Sequence, residues 1–151
     1  MNNRFEVFTT QIAKVSRFVR KIKTAETAEF DLKSTHVSCL YYLFKHPDGL
    51  TAKELSDICD EDKAAISRSV EDLEKKGLLT ADAKKEKRWK SALLLTKEGN
   101  VVARSIASKV DKIVEAASNG LTEANRKIFY DSLQIICENL ENLCKNYQED
   151  K

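Results

Sequence analysis

Pro47, Gly49, Gly77, Gly99 and Gly120 are the only proline and glycines in 151 residues. Both residue types interrupt helices, and Lys, Glu, Leu and Ala, which favour them, are frequent here. Long helices with few breaks are therefore expected. The length suits one ordinary domain, residues 1–151, and 42% hydrophobic residues suffice for a core. No apolar run approaches the roughly 18 residues that cross a bilayer. Met1 to Gln11 is polar and lacks the apolar stretch of a secretory signal. A cytoplasmic protein without a membrane partner is expected.

Apolar spacing places the helices. Phe5, Phe8, Ile12, Val15, Val19 and Ile22 recur in steps of three and four, one stripe on a helix. A second helix is expected from Ser34 or Thr35 to Lys45, with Val37, Leu40, Leu43 and Phe44 inward, until His46-Pro47-Asp48-Gly49 ends it. Thr51 and Glu54 form a T-x-x-E capping box for a short third helix. After Cys59-Asp60-Glu61-Asp62, a fourth runs to about Lys76 with Ile66, Val70 and Leu73 inward, and Gly77 closes it. Asp60, Glu61 and Asp62 suit the positive N-terminus of that helix. Thr96 caps a fifth helix with Val102, Ile106, Val110, Ile113 and Ala117 on one side, and Asn119-Gly120 breaks it. Thr122 caps a sixth. Its Phe129, Leu133, Ile136, Leu140, Leu143 and Tyr147 step by four and three, a seam that must be buried against another helix. A bundle with a second copy or packing within one chain would each satisfy it.

The stretch between the fourth and fifth helices carries the strongest charge asymmetry. Leu78 to Ala81 and Ala92 to Leu95 read as strands. Lys84, Lys85, Lys87, Arg88 and Lys90 crowd the loop between them against the single acid Glu86. Two short helices followed by strand, basic loop and strand outline a winged helix-turn-helix. The expected class is mainly α with a small two- to three-stranded β-wing.

Three patches resemble the MarR family. They are Gly49-Leu50-Thr51-Ala52-Lys53-Glu54-Leu55, Ala65 through Leu78, and Leu95-Thr96-Lys97-Glu98-Gly99, in the family's order and spacing. The resemblance covers nearly the whole chain. It implies a transcriptional regulator, typically a ligand-responsive repressor, acting as an obligate homodimer on double-stranded DNA. Residues 33–96 would then form the winged helix-turn-helix module, and 1–32 with 97–151 the helical dimerisation region. Dimerisation falls to Phe5, Phe8, Ile12 and Val15 with Phe129, Leu133, Ile136, Leu140, Leu143 and Tyr147. A small aromatic effector is a further implication, with His36, Tyr41 and Tyr42 as candidate lining.

The face of the fourth helix opposite Ile66, Val70 and Leu73 carries Lys63, Ala64, Ser67 and Arg68, the candidate DNA contacts. Arg68 suits a guanine edge or a phosphate, and Ala64 a thymine methyl. An ion pair of Arg68 with Glu71 or Asp72 is the structural alternative. The wing departs from the family's Asp-x-Arg: Glu86-Lys87-Arg88 resembles it one residue early, and Trp89 takes the aligned place. No nucleophile–base set or Gly-rich phosphate loop points to an enzyme. Cys39, Cys59, Cys137 and Cys144 form no CxxC pair and only two His are present, so no metal or cofactor is expected. The cysteines read as buried small apolar residues without an activating partner, inert to modest peroxide. The rival to a DNA-binding regulator is a winged-helix scaffold that binds proteins.

A wing tip presents one or two side chains, so its basic residues should divide their roles. Arg88 is expected in the minor groove, because guanidinium sheds water more easily than ammonium and narrow A·T tracts attract it. Trp89 should pack at the wing's base. Replacing Lys84, Lys85 or Lys87 by Ala should weaken binding on all duplexes alike and lower the salt slope by roughly one for each phosphate left without its lysine. Arg88→Ala should weaken binding mainly where the flank is A·T-rich. Indifference of Arg88→Ala to the flank, measured by polarisation on paired duplexes, would make the wing a plain electrostatic clamp.

Overall fold

The computed structural model describes residues 3–82 and 91–149. Six helices run in order: α1 Arg4–Glu26, α2 Ser34–Lys45, α3 Ala52–Cys59, α4 Lys63–Lys75, α5 Lys97–Ala117 and α6 Glu123–Glu149. A 3-10 turn, Ala28–Phe30, separates α1 from α2. Strands β1 Leu79–Ala81 and β2 Leu93–Leu95 stand between α4 and α5. The chain forms two compact units, Met1–Ile113 and Val114–Lys151.

The expected caps form. Thr51 Oγ1 accepts the Glu54 amide at 3.2 Å, and Glu54 Oε2 accepts the Thr51 amide at 2.7 Å. Asp62 Oδ1 accepts the Ala65 amide at 2.7 Å, so α4 begins on a carboxylate that suits its positive end. Thr122 Oγ1 accepts the Asn125 amide at 3.2 Å and starts α6. Asp60 closes α3 in the left-handed region, at φ 51°, a conformation that Asp tolerates better than most residues.

The core of the first unit lies where α2, α3, α4 and the strands converge. Val37, Leu40, Leu55, Ile66, Leu73 and Ile106 are fully buried there. Each contributes about 1.5–3 kcal/mol of burial relative to exposure. Antiparallel pairing sets Leu79 opposite Leu95 and Ala81 opposite Leu93. Leu50, ahead of α3, adds a third segment: its amide donates to the Leu93 carbonyl at 3.3 Å, and the Leu93 amide donates back at 2.8 Å. The result is a mainly α fold with a small β-wing, as expected from the sequence.

The cysteine expectation holds only in part. Cys39 is buried, Cys59 is half-buried, and Cys137 and Cys144 are exposed on α6. Helical spacing puts those two on one face, but not on a covered one.

Gly99, in the first turn of α5, is fully enclosed. A Cβ there would stand 1.7 Å from the Leu78 carbonyl oxygen. Thr96 seals the same junction: its hydroxyl donates to the Gly77 carbonyl at 2.6 Å and accepts the Gly99 amide at 3.0 Å. In an open helix Gly→Ala stabilises by about 1 kcal/mol. Gly99→Ala should instead destabilise by about 1–3 kcal/mol or more, because backbone must move. Gly77→Ala has no steric neighbour within 4 Å but a φ of +72°, and should cost only left-handed strain of about 1–2 kcal/mol. Urea midpoints read both. A Gly99→Ala chain as stable as the parent would refute the close approach.

Candidate nucleic-acid interface

Helix α4 is two-faced because its apolar residues recur every three or four positions. Ile66, Ser69, Val70 and Leu73 are buried. A step of about 100° per residue turns the intervening side chains outward, and Lys63, Ala64, Ser67, Arg68 and Glu71 are all exposed. The four candidate contact residues thus share one solvent face. Arg68 makes no ion pair with Glu71 or Asp72 among the described residues. Asp72 faces Lys33 at 3.9 Å and His36 at 3.4 Å instead. The guanidinium is free to meet a partner.

The α3–α4 turn is fixed by backbone bonds and by the cap of α4. Glu61 donates its amide to the Ser56 carbonyl at 3.2 Å, and its own carbonyl accepts the Ser56 hydroxyl at 2.6 Å. Asp62 is engaged as the cap of α4. At the wing's base the Asp82 amide donates to the Ala92 carbonyl at 2.8 Å, and Ser91 is buried. Lys84, Lys85, Lys87, Arg88, Trp89 and Lys90 lie outside the described residues.

Residues 30–88 match the MarR family model. A MarR-family transcriptional regulator from Listeria monocytogenes, solved with a 26mer DNA, is 25% identical over 89% of this chain and 89% of its own, with a TM-score of 0.78. The transcriptional regulator PA3341 is also 25% identical, over 89% of this chain and 98% of its own, at a TM-score of 0.81. Over residues 30–88 the chain thus resembles the MarR family. Staphylococcus aureus MarR, in complex with salicylate and kanamycin, has the same fold at 18% identity, a TM-score of 0.74 and coverage of 92% of this chain and 96% of its own. A comparison with curated protein sequences finds no match. The family's members named here are transcriptional regulators, not enzymes.

Two apolar stripes of the chain are uncovered. On α1, Phe5 is 80% exposed, with Ile12 and Val15 also exposed and Phe8 half-buried. On α6, Phe129, Leu140, Leu143 and Tyr147 are exposed, while Leu133 and Ile136 are half-buried. Among the described residues no helix is long and apolar enough to cross a membrane, and no His, Cys, Asp and Glu cluster could hold a metal.

A cleft of about 630 Å³ opens between the C-terminal ends of α1 and α4 and the start of α2, lined by Thr24, Asp31, Lys33, His36, Asp72, Lys75 and Lys76 among others. His36 therefore lines this cleft, and Tyr41 and Tyr42 lie outside it. The Tyr41 hydroxyl donates to Asp111 at 3.4 Å, and its ring meets Tyr42 edge-on. Lys75 and Lys76 read in sequence only as the end of a helix. They join the cleft because α4 lies across α2.

His36 is buried. Its Nδ1 accepts the Lys33 amide at 3.3 Å, and its Nε2 stands 3.4 Å from Asp72 Oδ2. Burial lowers its pKa, against the pull of Asp72 and with Lys33 and Lys76 adding to the lowering. The unfolded chain thus takes up this proton at higher pH than the folded one. Stability should be level above the ordinary imidazole value of about 6.5 and fall as pH drops below it. His36→Gln should flatten that segment. Urea titrations between about pH 7.5 and 5.5 read the slope, and an equal slope in parent and variant would assign it to another group.

Proposed function

We propose that this chain is a MarR-family repressor that binds a near-palindromic double-stranded operator as a homodimer and is released by a small effector. The observation that carries the DNA reading is the exposed face of α4. Lys63, Ala64, Ser67 and Arg68 stand outward while Ile66, Val70 and Leu73 fix the helix from behind. In this reading Arg68 makes paired hydrogen bonds to a guanine edge. Ser67 bonds a phosphate or base, Ala64 meets a thymine methyl, and Lys63 neutralises the backbone. The basic wing residues add phosphate contacts. Such work places the protein in the cytoplasm.

The homodimer reading is supported by the uncovered stripes of α1 and α6. Exposed apolar area of this extent is uncommon on a monomer, and a second copy is the simplest cover. A two-fold dimer sets two copies of α4 about one DNA turn apart, hence the near-palindrome. The effector reading is supported by the cleft at His36, where three lysines suit an aromatic acid.

Captured genomic fragments supply the operator, and polarisation on that duplex gives the affinity. Arg68→Ala should lose about 1–3 kcal/mol, concentrated on one base pair per half-site. Light scattering of the free protein should read near twice 17.1 kDa. An equal loss on every sequence would reassign Arg68 to phosphate. No duplex affinity at any salt would favour the protein-binding scaffold, and a 17.1 kDa species would remove the dimer.

A further inference from the structure

Asn119-Gly120 is the single Asn-Gly step of the sequence. It lies in the turn between α5 and α6, and both residues are exposed. The hydrogen bonds of that turn flank the pair. The Asn119 amide donates to the Ala116 carbonyl at 3.2 Å, and the Leu121 amide donates to the Ser118 carbonyl at 3.1 Å. Among the described residues, neither the Asn119 side chain nor the Gly120 amide has a hydrogen-bond partner. Gly120 stands at φ +89°, and no atom beyond its chain neighbours lies within 4 Å of where a Cβ would be. A side-chain carboxamide and the main-chain nitrogen next to it are thus both solvated and unhindered.

Other steps of similar chemistry are held by the fold. Asp48-Gly49 has the same spacing of side-chain carbonyl and glycine nitrogen. There the Gly49 amide donates to the His46 carbonyl at 2.9 Å, and the residue is crowded by the Leu93 carbonyl and the Leu94 side chain. Asn100 donates its side-chain amide to the Thr96 carbonyl at 3.0 Å. The amide that follows Asn125 donates to the Thr122 carbonyl at 2.9 Å.

We propose that Asn119 is a self-modifying site, converted without an enzyme to isoaspartate and aspartate. Solvent base takes the Gly120 amide proton, and the nitrogen attacks Asn119 Cγ. A C–N bond forms, the Cγ–Nδ2 bond breaks, and ammonia leaves with a proton from solvent. The product is a succinimide ring. Water then opens it at either carbonyl. Opening at the side-chain carbonyl gives aspartate. Opening at the main-chain carbonyl gives isoaspartate, whose backbone runs on through the former side chain. Nothing is oxidised or reduced, and water is the only co-reactant. Glycine favours ring closure because no side chain crowds its nitrogen and its backbone turns freely.

Both products bring a carboxylate to the turn ahead of α6. Isoaspartate also adds a methylene to the main chain between the buried Ser118 and the Thr122 cap. Its free α-carboxylate is open to methyl esterification, so a carboxyl methyltransferase is the class of enzyme that would consume this product.

The test ages the full chain at mildly alkaline pH and maps it with trypsin. The peptide Ile113 to Arg126 should gain about 1 Da with time and split into two chromatographic forms. Fragmentation should place the gain on Asn119 and not on Asn125. One form should accept a methyl group from S-adenosylmethionine through an isoaspartyl methyltransferase. Asp48-Gly49 should accept none until urea unfolds the chain. Gly120→Ala should lose the gain. Asn119→Gln, which leaves the backbone alone and must close a larger ring, should lose it too and decides the matter if left-handed strain unfolds the first variant. An intact Asn119 in the folded chain, beside a synthetic Ile113 to Arg126 peptide that converts, would overturn the proposal. So would a gain in folded Gly120→Ala as fast as in the parent, because Gly120 supplies the attacking nitrogen. Equal methylation at Asp48 and Asn119 in the folded chain would overturn the protection assigned to the Gly49 amide bond.

Discussion

What α4 can offer a partner is decided by what it buries. Ile66, Val70 and Leu73 lie against α2 and α3, and rotating the helix by one residue would put Ser67 into the core and a branched apolar side chain into water. The penalty for both changes fixes the helix about its axis more firmly than any surface ion pair could. Ser67 and Arg68 are outward for that reason. The exposed residues of α4 contribute little to its placement, which the buried ones decide.

A second constraint sits at the base of the wing. Leu50 bridges to Leu93, Thr96 bonds the Gly77 carbonyl, and Gly99 lets α5 approach Leu78 without a side chain between them. These contacts tie the end of α4, both strands and the start of α5 into one knot of backbone.

The stripes of α1 and α6 show the opposite condition. Their periodicity is as regular as that of α4, yet most of their apolar side chains are exposed. Amphipathicity states that a face must be covered and is silent on whether the cover is the same chain or another copy. That choice depends on the geometry of the whole molecule, which no local spacing encodes.

The sequence by itself determined the elements and their ends. Thr51 with Glu54, Asp62, Thr96 and Thr122 act within a single turn of backbone, so their spacing is enough to identify them. The inward and outward faces of α4 follow from a period of 3.6 residues, and so Lys63, Ala64, Ser67 and Arg68 were legible as a set. The tertiary structure alone decided which distant residues meet. His36 faces Asp72, and Lys75 and Lys76 share its cleft. Those meetings span helix crossings rather than helix turns. They depend on where two separately formed elements pack, a property of the assembled core and not of any stretch of chain.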